Sequence, residues 1–244
     1  MNDKLSKADL HMHTNFSDGK PTPEEIIDYV VNKTDLNIIA ITDHDTIEGA
    51  KLAQRIVKEK KLDLKIIIGE EISAKEGHIV GLFLKKVVPK GLSAKETIKR
   101  VKEQKGLVVI PHPFYYTPIN TVKMAVMNGI GLNNILKNLK NIDAIETVDN
   151  TPTLADENFV AHFWNSILLH KPETGSSDAH IKEAIGMGFT LFEGETKTDL
   201  RKAILNGQTK AIAKRWHLMG LLKYGYFFFP KAIRLGFYKL FSSN

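Results

Sequence analysis

Short apolar runs recur along the chain, and helical patterns fill the segments between them. The runs NIIAIT, LKIIIG, LVVIP, DAIETVD and ETGSS have the length of buried strands. Helical signals cover residues 22–33, 46–60, 93–105, 153–169 and 198–206. The first helix begins with a capping box, in which Thr22 and Glu25 satisfy free backbone N–H groups, and Ser93 with Glu96 repeats it. Strands that alternate with helices in this way predict an α/β fold.

Polar residues collect directly after the apolar runs. They include Asp43-His44, Glu70-Glu71, His112, Glu146, Asn150 and Asp178-Ala179-His180. When polar residues lie at the carboxyl ends of many alternating strands, the expected architecture is a parallel barrel with its site at that mouth. Residues 119–140, rich in Asn and Gly, are interpreted either as further helices or as a loop over the mouth.

The residue types at these positions indicate a metal site. Six of the nine histidines lie in the segments HMHTNFSDG, TDHDT, GHIVG, IPHPF and SSDAH, and carboxylates accompany them. Imidazole and carboxylate are the ligands that borderline divalent metals prefer, and the chain has no cysteine. His11 and His13 are two residues apart, which on an extended strand places both side chains on one face. His162, His170 and His217 fall outside these segments and are interpreted as ordinary residues.

Length and composition predict one catalytic domain. The chain has 244 residues, 43% of them hydrophobic, which is in the range of single-domain α/β barrels. We expect this domain at residues 1–213 and a tail at 214–244. No apolar stretch reaches the roughly 18 to 20 residues of a membrane span, and MNDKLSKAD lacks the apolar segment of a signal peptide. A cytoplasmic protein is therefore expected.

Charge is distributed unevenly. Nine of the 34 basic residues lie between Leu200 and Asn244, where there is no Asp or Glu; the other 25 face 28 acidic residues in the rest of the chain. Aromatic and basic residues interleave in the tail, as in amphipathic segments at an anionic membrane surface. Peripheral membrane association is therefore one hypothesis. The alternatives are contact with nucleic acid, packing on the barrel, and a dimer contact.

The motifs, in their order, resemble those of the PHP (polymerase and histidinol phosphatase) superfamily of metal-dependent phosphoesterases. The resemblance rests on HMHTNFSDG, TDHDT, GEEIS with GHIVG, IPHPF, AIETVDN and SSDAH, and it spans about residues 8 to 215. It implies a distorted seven-stranded (β/α)7 barrel, here with a basic, aromatic C-terminal tail.

The resemblance also implies a cluster of up to three divalent metal ions, with manganese, iron or zinc as candidates. The implied ligands are His11, His13, Glu71 and Asp178 for the first ion, Glu71 as a bridge with His78 and His112 for the second, and Asp18, His44 and His180 for the third. An exchange of roles between Glu70 and Glu71 stays open. Asp43, Asp45, Glu146 and Asn150 are interpreted as partners that orient an imidazole by accepting its other N–H.

These residues predict the hydrolysis of a phosphoester by metal-activated water. Clustered divalent metals neutralise the charge of the phosphate and lower the pKa of bound water from about 15.7 to near 7. The catalytic candidates are His180 or His44, either of which could protonate the leaving group, and the neighbouring Asp43. A catalytically silent metal-binding scaffold that acts through its tail is the alternative, and the complete set of ligands favours the enzyme.

The expected substrate is a phosphorylated small molecule or a nucleotide. Phe114, Tyr115 and Tyr116 follow His112-Pro113, where many relatives of this architecture have Gly and Arg. Aromatic side chains at the mouth could stack on a base, which favours a nucleotide or an end of single-stranded nucleic acid; packing is the alternative. Phosphatase and exonuclease activity both remain open.

Overall fold

The computed structural model describes residues 4–115 and 128–228. The strands are Leu5–Asp9 (β1), Ile38–Ile41 (β2), Lys65–Ala74 (β3), Gly77–Leu82 (β4), Leu107–Ile110 (β5), Ala144–Asp149 (β6), Glu173–Ser176 (β7), Gly188–Glu193 (β8) and Thr209–Ala213 (β9). The helices are Pro23–Lys33 (α1), Glu48–Glu59 (α2), Ala94–Glu103 (α3), Gly131–Asn138 (α4), Ala155–Trp164 (α5), Lys197–Asn206 (α6) and residues 218–228 (α7).

The strands form one mixed sheet in the order β7-β6-β5-β4-β3-β2-β1-β8-β9. The pairs β1–β2, β2–β3, β5–β6 and β6–β7 are parallel, and the remaining four are antiparallel. The prediction of an α/β barrel is confirmed, but the prediction of seven strands is wrong for the part of the chain that is described, which has nine. β3 continues past Glu70 and turns back into β4, with which it pairs antiparallel. β8 and β9 also pair antiparallel with each other.

The two edges of the sheet approach each other, because β7 packs against β8 and β9. The Thr190 hydroxyl accepts a hydrogen bond from Gly175 N at 3.0 Å and donates one to Gly175 O at 2.9 Å. The backbones come so close that a Cβ at Gly188 would lie 1.9 Å from Ser176 O. The hydrogen bonds of Thr190 and the close approach at Gly188 thus join β7 to β8. This contact between the two edges is the seam of the barrel, which is nearly closed.

Alternate residues of the central strands face opposite sides of the sheet. In β2, Ile38 and Ala40 join an interior cluster, whereas Ile39 and Ile41 pack outward under α1 and α2. α6 adds side chains to the interior cluster, and its Arg201 donates to a backbone carbonyl just before β5. The amino ends of the parallel strands are therefore covered, and the polar residues lie at the opposite, carboxyl ends.

The predicted helices form, with small shifts at their ends. Thr22 and Glu25 make both hydrogen bonds of the capping box. Ser93 accepts from Glu96 N, but the Glu96 carboxylate pairs with Arg100. In the segment 119–140, residues 128–140 include α4, and residues 119–127 lie outside the described part of the chain.

The described part of the tail packs on the barrel. Trp216, Phe227 and Phe228 pack against the outer cluster, in which Tyr224 is buried, and the Trp216 indole N–H donates to Asn150 O at 2.8 Å. Residues 229–244 lie outside the described residues. Within the described ranges, no helix combines the length and the apolar character that crossing a membrane requires.

Replacement of Thr190 by valine tests the seam between β7 and β8. Valine keeps the shape but leaves the buried backbone groups of Gly175 without this hydroxyl partner. We expect the free energy of unfolding to fall by about 1–3 kcal/mol, measured by urea denaturation. Thr198→Val, at an exposed position of α6, should change it by less than about 0.5 kcal/mol. Equal stability of Thr190→Val and the wild type would contradict the importance of the seam.

Candidate metal centre

The first two histidines of the site extend β1 beyond its last residue. Met12 pairs with Ala179 in an isolated bridge, and His13 N donates to Ala179 O at 2.9 Å. Met12 is buried, and the histidines on either side of it come together, with 3.2 Å between His11 Nε2 and His13 Nε2. The alternation of an extended chain thus brings both imidazoles to one point, as the spacing predicted.

Two carboxylates complete a four-atom group with these imidazoles. Glu71 Oε2 lies 3.1 Å from His11 Nε2 and 3.2 Å from His13 Nε2. Asp178 Oδ1 lies 3.5 Å and 3.0 Å from the same two atoms. A tetrahedral ion with bonds of about 2.0–2.1 Å separates its ligand atoms by about 3.3 Å. The spacing and the nitrogen–oxygen donor set therefore fit a divalent metal ion.

Glu71 also faces a second group of imidazoles. Its Oε1 lies 2.7 Å from His78 Nδ1 and 3.1 Å from His112 Nε2. Its neighbour on β3 points to the other side of the strand, where Glu70 Oε2 accepts from Val88 N at 2.8 Å. Successive side chains of a strand alternate between faces, so Glu71 faces the imidazoles and Glu70 faces away from them.

A third group surrounds Asp18. Its Oδ1 lies 3.1 Å from His180 Nε2, 3.7 Å from His13 Nδ1 and 3.9 Å from His44 Nε2. His180 Nδ1 lies 2.9 Å from Asp178 O; a carbonyl only accepts, so this nitrogen carries the proton. Nε2 is thereby directed at Asp18, which is the orientation that a metal ligand requires.

Asp149 belongs to the site, and the sequence analysis missed it. It lies with His112 and Asp178 in a group whose ligand atoms are all within 4.8 Å of one another. A register shift between Glu146 and Val148 interrupts β6, so that Glu146 and Asp149 both face the centre although strict alternation would separate them. The motif AIETVDN that contains both residues is apparent in the sequence, but the register shift is not.

Of the four predicted orienting residues, only Glu146 lies beside an imidazole in the described contacts. Its Oε1 is 3.4 Å from His11 Nδ1. Asp45 instead accepts from Ser73 N and Oγ, and the Asn150 amide donates to Met187 O and Lys214 O. These two residues anchor strands and loops, and their predicted contacts with imidazoles were wrong.

Asp43 holds the loop that carries Asp18. Its Oδ1 accepts from Thr14 N at 2.7 Å and from Ser17 Oγ at 2.8 Å, and its Oδ2 accepts from Thr14 Oγ1 at 2.7 Å. α2 approaches this carboxylate so closely that a Cβ at Gly49 would lie 2.2 Å from Asp43 Oδ2. The hydrogen bonds of Asp43 are therefore made to the loop, and not to an imidazole as predicted.

The serine-aspartate loop after β7 is held by a second buried carboxylate. Asp9 accepts from Ser177 N at 3.0 Å, from Ser177 Oγ at 2.6 Å and from Gly186 N at 2.8 Å. Burial raises the pKa of Asp9 to about 6, although these hydrogen bonds oppose the rise. Asp178, next in the chain, has a φ of 44° and His112 has a φ of 25°. A left-handed backbone at two non-glycine residues of a site is strain that such anchors must hold.

The electrostatic potential at the centre favours cations. Burial disfavours a charged imidazole, yet Asp178 and Glu71 raise the pKa of His13 to about 10. Burial likewise opposes ionisation of Glu71, but imidazoles such as His44 and His78 hold its pKa well below the usual range. The Glu71 carboxylate thus remains charged inside the protein and requires positive charge close by, which bound metal ions would supply.

The aromatic residues after His112 separate in the structure. Phe114 packs against a core cluster, whereas the Tyr115 ring lies edge-on to His112, with 6.0 Å between centroids. Tyr116 lies outside the described residues. His162, one of the histidines interpreted as ordinary, pairs on the surface with Glu173 at 3.1 Å.

Comparison with known proteins agrees with this centre. The model of the PHP domain family matches residues 9–217. This chain belongs to the PHP domain family. The resemblance inferred from the motifs is therefore confirmed, and the PHP match ends just before α7.

Three relatives show how far the similarity extends. An uncharacterized protein of Methanocaldococcus jannaschii is 43% identical over 124 residues, which cover 46% of this chain and 70% of that protein. A 5'-3' exoribonuclease of Haemophilus influenzae is 35% identical over 107 residues, 42% of this chain and 38% of the enzyme. A 3',5'-nucleoside bisphosphate phosphatase of Chromobacterium violaceum is 34% identical over 89 residues, 35% of this chain and 30% of the enzyme.

A solved structure shares the PHP fold. It is a two-domain protein of Bacteroides vulgatus that contains a predicted PHP-like metal-dependent phosphoesterase. The superposition has a TM-score of 0.70 and covers 87% of this chain and 66% of that one, at 20% sequence identity. At this identity the likeness shows the fold alone.

Replacement of His13 by alanine should remove bound metal. His13 contributes to two of the ligand groups, so we expect the metal content of the purified protein to fall at least about tenfold, measured by atomic emission after dialysis. His162→Ala, at an exposed histidine far from these groups, is the matched control and should keep the metal content of the wild type. Unchanged metal content in His13→Ala would show that the ions bind elsewhere.

Proposed function

We propose that this protein is a metal-dependent phosphoesterase that hydrolyses a phosphoester of a nucleotide or at an oligonucleotide end. The observation that carries the proposal is the set of four overlapping groups of imidazoles and carboxylates around Glu71. All nine ligands implied by the sequence lie in these groups. We further propose that they hold up to three divalent ions, manganese, iron or zinc.

The proposed chemistry follows from the charge of the substrate. Bound divalent ions would neutralise phosphate oxygens and supply water of lowered pKa. The chain contributes buried anions that hold such ions, above all Glu71 and Asp178, and imidazoles whose orientation is set by hydrogen bonds. The walls of the barrel exclude bulk water from the inner side of the centre, which strengthens each electrostatic interaction.

Two observations support a nucleotide as substrate. The Tyr115 ring is partly exposed and lies beside His112, and aromatic side chains at such a position can stack on a base. Two of the relatives act, by their names, on RNA and on a nucleoside bisphosphate. The chain aligns with about a third of each of those enzymes, so the choice between phosphatase and nuclease is left to experiment.

For protonation of the leaving group we propose His44 in preference to His180. The His44 side chain is 26% exposed and that of His180 is 9% exposed. His180 directs Nε2 at Asp18 from 3.1 Å, whereas His44 Nε2 is 3.9 Å from the same oxygen. His44 therefore has more freedom to meet a substrate, and Asp43 supports it indirectly by holding the loop of Asp18.

Phosphate release from a substrate panel tests the proposed activity. The protein is stripped with a chelator, reloaded with manganese and given p-nitrophenyl phosphate, nucleoside monophosphates, nucleoside 3',5'-bisphosphates, and 5'-phosphorylated RNA and DNA. We expect metal-dependent hydrolysis of nucleotides, reduced at least about 100-fold in Asp178→Asn and unchanged in His162→Gln.

The products distinguish the two kinds of enzyme. Stepwise shortening of an oligonucleotide indicates a nuclease, and release of phosphate alone indicates a phosphatase. If the metal-loaded protein hydrolyses none of these esters, the proposed function is wrong.

The role of His44 is tested by its dependence on the leaving group. p-Nitrophenolate leaves without a proton, whereas the hydroxyl of a nucleoside needs one. A general acid contributes about 10²–10⁴-fold, so kcat of His44→Asn should fall at least about tenfold more for a nucleoside monophosphate than for p-nitrophenyl phosphate. Equal losses on both substrates, with a lower metal content, would make His44 a ligand only.

A further inference from the structure

A cavity of about 820 Å³ lies between α7 and the segments 20–25 and 181–183. It is in the size range of sites that hold small ligands. Two of its lining residues are close in sequence to candidate ligands. Ile181 follows His180, and Lys20 lies two residues after Asp18. Lys20 N also donates to His180 O at 2.8 Å. The segments that line the cavity are therefore continuous in the chain with two residues of the third ligand group, Asp18 and His180.

Aromatic side chains of α7 form one wall of this cavity. Phe227 and Tyr226 both line it. The Phe227 ring is 6.5 Å from the His180 ring, centroid to centroid, and the Phe228 ring lies 5.6 Å from it, nearly edge-on. Tyr226 is 81% exposed and so offers a ring that a ligand can cover. This wall extends from the metal centre to the surface.

Of the three lysines that line the cavity, two form ion pairs with carboxylates in the described part of the chain and one does not. Lys182 pairs with Glu25 at 3.2 Å, and Lys223 pairs with Glu183 at 2.7 Å. Lys20 also lines the cavity, and it has no ion pair with any residue in the described ranges. The lining thus has one positive charge without a paired carboxylate among the described residues and, in the same cavity, two aromatic rings, which is the chemistry that recognises a base together with a phosphate.

The wall is held in place before any ligand binds. Tyr224 is buried between Trp216 and Phe228, with ring centroids 5.5 Å and 4.4 Å away. The Trp216 indole N–H donates to Asn150 O at 2.8 Å. These contacts fix α7 on the barrel, so its aromatic face is preorganised for binding.

We infer that this cavity is the subsite for the nucleoside part of the substrate, with the base against Phe227 and Tyr226 and a second phosphate near Lys20. The inference rests on the proposed function and makes it more specific. It selects a nucleoside bisphosphate, or a terminal nucleotide with its next phosphate, over a simple phosphomonoester. Helix α7 then acts as a specificity element of the metal centre.

Kinetics of Tyr226→Ala and Lys20→Gln test the subsite, because both positions are exposed and the changes should not disturb folding. We expect KM for a nucleoside 3',5'-bisphosphate to rise about tenfold in each variant with kcat nearly constant. The loss of kcat/KM should be much smaller for p-nitrophenyl phosphate, which has no base or second phosphate. Met219→Ala, at a 62% exposed position of the same helix, should leave both substrates unaffected.

Two outcomes would overturn the inference. Unchanged KM for the bisphosphate in both variants would mean that α7 only packs on the barrel. Equal losses on both substrates would mean that the variants disturb the metal centre itself.

The subsite can also be tested if the protein hydrolyses no ester and the proposed function fails. Titration calorimetry of the manganese-loaded protein with the same bisphosphate then reports the subsite alone. Affinity that is about tenfold weaker in Tyr226→Ala and Lys20→Gln, and unchanged in Met219→Ala, supports it. Absence of binding, or equal affinity in all variants, overturns it.

Discussion

One buried carboxylate organises the centre of this protein. Glu71 is 1% exposed, yet its two oxygens face five imidazoles at 2.7–3.4 Å. A buried carboxylate stays ionised only if positive charge or several hydrogen-bond donors lie close to it. Imidazoles therefore have to surround Glu71 on several sides. A nearly closed barrel allows this, because its strands approach Glu71 from different sides. The position of β3 near the middle of the sheet makes this arrangement possible.

The polar centre depends on anchors that lie behind it. Asp9 holds the loop before Asp178, and Asp43 holds the loop before Asp18. Each carboxylate is buried and accepts several hydrogen bonds, which keeps its desolvation from destabilising the fold. These anchors also fix residues with a left-handed backbone, so the geometry of the ligands is set before an ion or a substrate binds. Positioning of this kind is what separates a reactive centre from a loose group of polar side chains.

The C-terminal segment joins the barrel to the mouth of the site. Its residues up to 228 pack on the outer cluster of α1 and α2, and their aromatic rings reach His180. The PHP domain thus acquires a wall that its own strands do not supply. Because rings of α7 lie beside His180, the subsite that we infer would let variation in this segment change the selected ester while the metal centre remains the same.

The sequence by itself determined the residue types of the site, most of the helices and the family. The cap at Thr22 and the spacing of His11 and His13 can be read within short windows, and the order of the motifs can be read directly along the chain. The tertiary structure decided that Glu71 faces the centre, and that β4 runs antiparallel to β3 and brings His78 to the centre. It also decided that a register shift in β6 adds Asp149 and that α7 lies against the mouth. Each of these depends on strand pairing or packing between distant segments, which residues nearby in sequence do not specify.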